Sequence, residues 1–98
     1  MIKINSKENL ITISGHANYS NGDDIVCASV SSIMYTTVNA LLKLDENSIK
    51  YTDNKDKLTI EILKHIEVID TLIVNMMSLF NQLELDYPKN VKIYKEEI

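Results

Sequence analysis

The sequence contains no arginine, no tryptophan, one cysteine and only two glycines. All ten basic residues are lysines, against fourteen acidic residues, which gives a net charge of −4 at pH 7. Proteins that bind nucleic acids usually present a basic face and use arginine for bidentate contacts to phosphate and guanine. The composition therefore argues against nucleic-acid binding as the main activity.

Features typical of a membrane protein, of a protein in an oxidising compartment or of a cofactor-binding protein are missing as well. No apolar run approaches the ~20 residues that a membrane span requires, and the N-terminus alternates instead of forming a signal peptide. One cysteine cannot form a disulfide within the chain, and a lone thiol suits a reducing compartment, so we expect a cytoplasmic protein. No phosphate-binding loop, dinucleotide-binding glycine pattern or zinc-ligand spacing occurs, and we expect neither a cofactor nor a metal.

The length and the hydrophobic pattern predict the fold class. Ninety-eight residues match one domain, residues 1–98, with room for a single core. Alternating segments predict strands that pair as two hairpins, and apolar residues at helical spacing predict two helices. The predicted elements are strands Met1–Asn5 and Leu10–Ser14, a helix from about Asp24 to Leu44, strands Ser48–Thr52 and Leu58–Leu63, a helix Glu67–Leu85 and a strand Val91–Tyr94.

This order, ββαββαβ, predicts an α+β fold with a mainly antiparallel sheet of about five strands, covered by the two helices. Each helix is expected to bury one apolar stripe. The stripe of the first helix comprises Ile25, Val26, Ile33, Val38, Leu41 and Leu42, and that of the second comprises Ile69, Leu72, Ile73, Met76, Leu79, Phe80 and Leu83.

The residues best suited to chemistry are concentrated where the second strand leads into the first helix. Both glycines, Gly15 and Gly22, lie in one polar loop, which also carries His16. Asp24 and the only cysteine, Cys27, follow at the predicted start of the helix. In a chain so poor in glycine, this placement indicates a positive φ or a close backbone approach in the loop.

A cysteine in the first turn of a helix lies close to unpaired N–H groups and to roughly half a positive charge. That environment stabilises a thiolate and is expected to lower the pKa of the Cys27 thiol. His16 could serve such a nucleophile as general base and acid, and the helix N–H groups could hold an oxyanion. Asp24 would either cap the helix or orient His16.

The residues alone also allow structural explanations. A cysteine in an apolar helix is commonly a small buried hydrophobic residue, and glycines in a loop are commonly turn residues. A second group, His65 with Glu67 and Asp70, matches no zinc pattern. We interpret it as a surface histidine beside two acids that are favoured by the helix dipole.

Two stretches of the sequence, Ile13–Ala17 and Gly22–Ser31, resemble the signature of the ribosomal-processing cysteine protease family, called Prp. That signature is Gly-His-Ala, a glycine-containing loop, and then Asp-Ile-Val-Cys-Ala-x-Val-Ser. It spans about 19 residues here and combines several rare residues in a fixed order.

The resemblance implies a small cytoplasmic, homodimeric cysteine endopeptidase that removes the N-terminal extension of a large-subunit ribosomal protein precursor. Its nucleophile aligns with Cys27 and its base with His16. Asp24, Gly15 and Ser31 align with the family's aspartate, the glycine before the histidine and the small residue four positions after the cysteine. Gly22 belongs to the loop that is expected to close over the peptide substrate.

Two other functions remain open at this point. The chain could be a non-enzymatic module that binds the ribosomal protein through the same groove, in which case the Cys27 thiol is inert. It could also be a structural homodimer in which the loop with Gly15 and His16 is only a turn.

Ser31 lies four residues after Cys27, hence on the same helix face, and is expected to shape the floor of the groove.

Overall fold

The computed structural model describes residues 1–15, 25–54 and 57–96. These residues form five strands and two helices in the predicted order ββαββαβ, and the α+β class is confirmed. The elements are β1 (Ile2–Lys7), β2 (Leu10–Ser14), α1 (Ile25–Leu44), β3 (Ile49–Asn54), β4 (Lys57–Ile62), α2 (Glu67–Asp86) and β5 (Val91–Glu96).

The five strands form one mixed sheet in the order β3-β4-β2-β1-β5. Both predicted hairpins are present, and three of the four strand pairs are antiparallel. The exception is β5, which returns after α2 and lies parallel to β1, with Ile4 opposite Ile93. Local patterns cannot reveal this pairing, because its two partners stand at opposite ends of the sequence.

The turn of the first hairpin is tighter than the sequence predicts. Lys7 pairs with Leu10, so β1 extends past the predicted end at Asn5 and leaves only Glu8 and Asn9 in the turn. Glu8 has a φ of 53°, in keeping with two-residue hairpin turns, whose backbone requires positive φ. Ser6 and Lys7, which the sequence places in the turn because they are polar, therefore belong to the end of β1.

The core lies between one face of the sheet and the two helices. Each helix contributes one stripe of buried residues, namely Val26, Val30, Met34, Val38 and Leu41 from α1, and Ile69, Ile73, Met76 and Phe80 from α2. Two residues of the predicted stripes are exposed instead, Ile25 by 57% and Leu79 by 42%. Each lies next to a buried residue in sequence and is therefore turned by about 100° from it around the helix axis.

Within the described part of the chain, α1 is the one helix that is long and apolar enough to cross a bilayer. The sequence shows no continuous apolar run over α1, because serines, threonines and an asparagine stand between its apolar residues. Its residues Val26, Met34 and Leu41 are fully buried against the rest of the core. About a third of this span is buried within the fold.

Candidate active site

A cleft of about 250 Å³ opens between α1 and one end of the sheet. At that end β2 and β3 finish and β1 and β4 begin. The apolar lining of the cleft comes from Ile2, Ile13, Val30, Met34 and Leu58, and its polar lining from Ser14, Ser31, Asp53, Asn54 and Lys57. Gly15, Cys27 and Tyr35 complete it. Three of the six predicted site residues, Gly15, Cys27 and Ser31, are therefore brought together in one cleft.

Cys27 is the third described residue of α1 and lies in its first turn, as predicted. It is half-buried, lines the cleft and packs against the edge of the core. The positive end of the helix dipole is therefore directed at the end of the cleft where Cys27 lies. This is a position in which a thiolate and a developing oxyanion are both stabilised.

Gly15 directly follows β2, lines the same cleft as Cys27 and cannot easily be replaced. Its φ is +86°, a backbone conformation that strongly favours glycine. A Cβ added to it would collide with the backbone carbonyl of Met1. Both reasons that the sequence suggests for a glycine, a positive φ and a close backbone approach, hold at this position.

His16, Gly22 and Asp24 lie outside the described residues, so their predicted roles stay predictions. The chain enters this segment from Gly15 and leaves it shortly before Cys27, and both of these residues line the cleft. Ser31 lies one helical turn after Cys27 and lines the same cleft. Ser29, two residues after Cys27, is partly exposed, and its hydroxyl donates to the Ile25 carbonyl at 2.8 Å.

The far wall of the cleft was missed by sequence reasoning. Tyr35 follows Cys27 by eight residues, a helical spacing that could have indicated a shared side of α1. Asp53 and Lys57 stand in the second hairpin, where the sequence suggested only a turn. No local signal connects that hairpin with Cys27, because the contact exists only in the folded sheet.

Tyr51 lies behind this wall with a buried hydroxyl that has no hydrogen-bond partner among the described residues. Burial raises the pKa of Tyr51 well above its usual range, and the nearby Tyr35 and Asp53 raise it further. Tyr35 is thus close to Tyr51, although the two hydroxyls do not meet at hydrogen-bonding geometry. An unpaired buried hydroxyl is costly to the folded state.

The substitution Tyr51→Phe removes that hydroxyl, so the free energy of unfolding at neutral pH is expected to stay unchanged or rise by about 1 kcal/mol. The folded-state pKa of Tyr51 lies above the unfolded value of about 10, so the neutral phenol favours folding below that pH. This contribution is lost as the pH rises through the folded-state pKa. Urea unfolding at pH 7 and at about pH 11 measures how much free energy of unfolding each protein loses at alkaline pH. We expect a smaller loss for Tyr51→Phe than for the wild type. A larger loss would contradict the raised pKa of Tyr51.

The second group of titratable residues lies away from the cleft. His65 Nδ1 is 2.8 Å from Asp70 Oδ1, and His65 Nε2 is 2.7 Å from Asn9 Oδ1. The side chains of His65 and Asp70 are each about half exposed, as the sequence interpretation expects. Across residues 1–15, 25–54 and 57–96, no group of three potential metal ligands occurs.

Comparisons with known proteins give the same assignment as the signature. The family model of the cysteine protease Prp matches residues 1–92. The ribosomal processing cysteine protease Prp of Mycoplasma genitalium is 32% identical over 100 residues, which cover 98% of this chain and 97% of that protein. Its Staphylococcus aureus counterpart is 28% identical over 93 residues, covering 85% of this chain and 82% of that protein.

Two crystal structures of the S. aureus ribosomal processing protease Prp have the same fold. One holds a covalently linked product peptide and has a TM-score of 0.85 at 24% identity, covering 98% of this chain and 100% of that chain. The other holds a substrate peptide and has a TM-score of 0.82 at 19% identity, with the same coverage. The family match over residues 1–92 and the M. genitalium relative, 32% identical over 98% of this chain, establish that the chain belongs to the Prp family of cysteine proteases, enzymes that hydrolyse peptide bonds.

Proposed function

We propose that this chain is a cysteine endopeptidase that removes the N-terminal extension of a large-subunit ribosomal protein precursor. The observation that carries the proposal is the position of Cys27, in the first turn of α1 and at the wall of a cleft. The relatives in M. genitalium and S. aureus are ribosomal processing proteases, which supports a ribosomal protein as the substrate.

In this mechanism, the Cys27 thiolate attacks the carbonyl carbon of the scissile bond, and the N–H groups at the start of α1 stabilise the oxyanion. His16 protonates the leaving amine, which frees the new N-terminus and leaves an acyl-enzyme on Cys27. His16 then takes a proton from water, which attacks the acyl group and releases the second product. Asp24 either caps α1 or orients His16, and Gly22 belongs to the segment of sequence between His16 and Cys27.

The lining of the cleft suits a peptide. Apolar lining residues such as Met34 and Leu58 can accept an apolar side chain, while polar lining residues such as Ser31 and Asn54 can bind the main chain. The peptides bound to the S. aureus proteins support this type of ligand. The net charge of −4 is compatible with a cationic ribosomal protein as the partner.

The proposal includes a homodimer of a single-domain chain that acts in the cytoplasm and needs no cofactor. A shallow groove between the outer sides of α1 and α2 supports the dimer. It is lined by Ile25, Ile33 and Leu83 together with small residues of α1. Ile25 is more than half exposed there, and an apolar surface of this kind suits an interface between two copies.

The proposal is tested by incubating the protein with the ribosomal-protein precursor of the same organism under reducing conditions and measuring product masses. We expect one new N-terminus, whose mass locates the scissile bond. The same ribosomal protein made without the extension is the control and is expected to stay intact. If the full precursor also stays intact while the protein is folded, the endopeptidase proposal fails, and a binding measurement would then test the non-enzymatic module.

A further inference from the structure

Tyr35 occupies the part of the cleft that is farthest along α1 from Cys27. The two residues are eight positions apart, which corresponds to about 12 Å along the helix axis. Ser31 lies between them and lines the same cleft. The cleft therefore continues past the nucleophile along the helix for more than two turns.

The surroundings of Tyr35 form a wall suited to a side chain with an apolar body. Met34 and Leu58 contribute apolar surface, and Asp53 and Asn54 contribute polar groups from the end of β3. Tyr35 itself is 44% exposed, so its ring is available to a ligand. Tyr51, on β3, lies near Tyr35.

We infer that Tyr35 is a specificity-determining residue that contacts a substrate side chain three or four positions away from the scissile bond. An extended peptide advances about 3.3 Å per residue, so about 12 Å corresponds to that number of positions. The side chain at that position has an apolar body, which packs on the Tyr35 ring. This inference rests on the proposed endopeptidase function and adds a second recognition point to it.

The test compares wild-type protein with Tyr35→Ala on a full-length precursor peptide and on two series of peptides, each shortened from one end. On the full-length peptide, Tyr35→Ala is expected to lower kcat/KM about tenfold or more, the scale expected when one apolar contact is lost. On peptides that lack the contacted residue, wild type and variant should cleave equally. Only one of the two series should show this change.

The matched control is Tyr94→Ala, because Tyr94 is 41% exposed, like Tyr35, but lies on β5 and does not line the cleft. Its kcat/KM is expected to equal that of the wild type on every peptide. Substitution of the contacted substrate residue by alanine should reproduce the loss with wild-type protein, which makes the test independent of how well Tyr35→Ala folds.

Two results would overturn the inference while leaving the proposed function intact. In the first, the wild type cleaves and Tyr35→Ala lowers kcat/KM by the same factor on all peptides, which would indicate a structural role for Tyr35. The other is an unchanged kcat/KM on the full-length peptide. A wild-type protein that cleaves no peptide would instead refute the endopeptidase function itself.

Discussion

Cys27→Ala is expected to abolish cleavage of the ribosomal-protein precursor and to leave the fold intact. Removal of a covalent nucleophile typically lowers kcat by a factor of about 10³ or more, because no neighbouring group can form the acyl-enzyme. Cys27 is only half-buried at the edge of the core, so loss of its sulfur removes little packing. Product masses would measure the first effect, and thermal unfolding followed by circular dichroism would measure the second.

Ser29→Ala provides the matched control for this variant. Ser29 lies two residues further along α1 and lines the groove between α1 and α2 instead of the cleft, where alanine keeps a small side chain. Its hydroxyl donates to the Ile25 carbonyl. Its loss should leave cleavage at the wild-type rate. Persistent cleavage by Cys27→Ala would place the nucleophile elsewhere, and loss of cleavage in both variants would point to damage to the start of α1 instead of lost chemistry.

The predictable part of the fold is the part that local periodicity encodes. Alternation predicts the strands and helical spacing predicts α1 and α2, because each element buries one face against a common core. The parallel pairing of β5 with β1 was not predicted, since it depends on how the chain returns after α2. The true end of β1 at Lys7 was missed because polar residues occupy the exposed end of a hairpin strand.

The same distinction applies to the candidate site. Gly15, Cys27 and Ser31 could be predicted together because a strand, a loop and a helix place them close in sequence as well as in space. The hairpin residues Asp53 and Lys57 could not, because only the folded sheet brings the second hairpin to the cleft. Tyr35 was missed although its eight-residue spacing from Cys27 on α1 could have indicated it. The family signature therefore covers the proposed chemistry, while the wall that would select the peptide is formed largely by residues outside it.

Gly15→Ala is expected to destabilise the protein by at least about 2 kcal/mol and to impair cleavage. Left-handed backbone costs a residue with a Cβ about 1–2 kcal/mol, and Gly15 has a φ of +86°. The new Cβ would also collide with the Met1 carbonyl, so β1 and β2 must shift apart where Lys3 pairs with Ser14. For a chain of this size the melting temperature should fall by roughly 10 °C.

Gly15→Asn separates the two causes, because asparagine tolerates positive φ better than alanine but carries the same Cβ. If the collision with Met1 dominates, the two variants lose similar stability, and we expect this result because the nearest atoms are backbone that cannot rotate away. Thr12→Ala, a substitution in the middle of β2, is the control for a general weakening of the strand. If Gly15→Ala has the melting temperature and the cleavage rate of the wild type, the argument that the positive φ of Gly15 and its approach to Met1 matter for the site is contradicted.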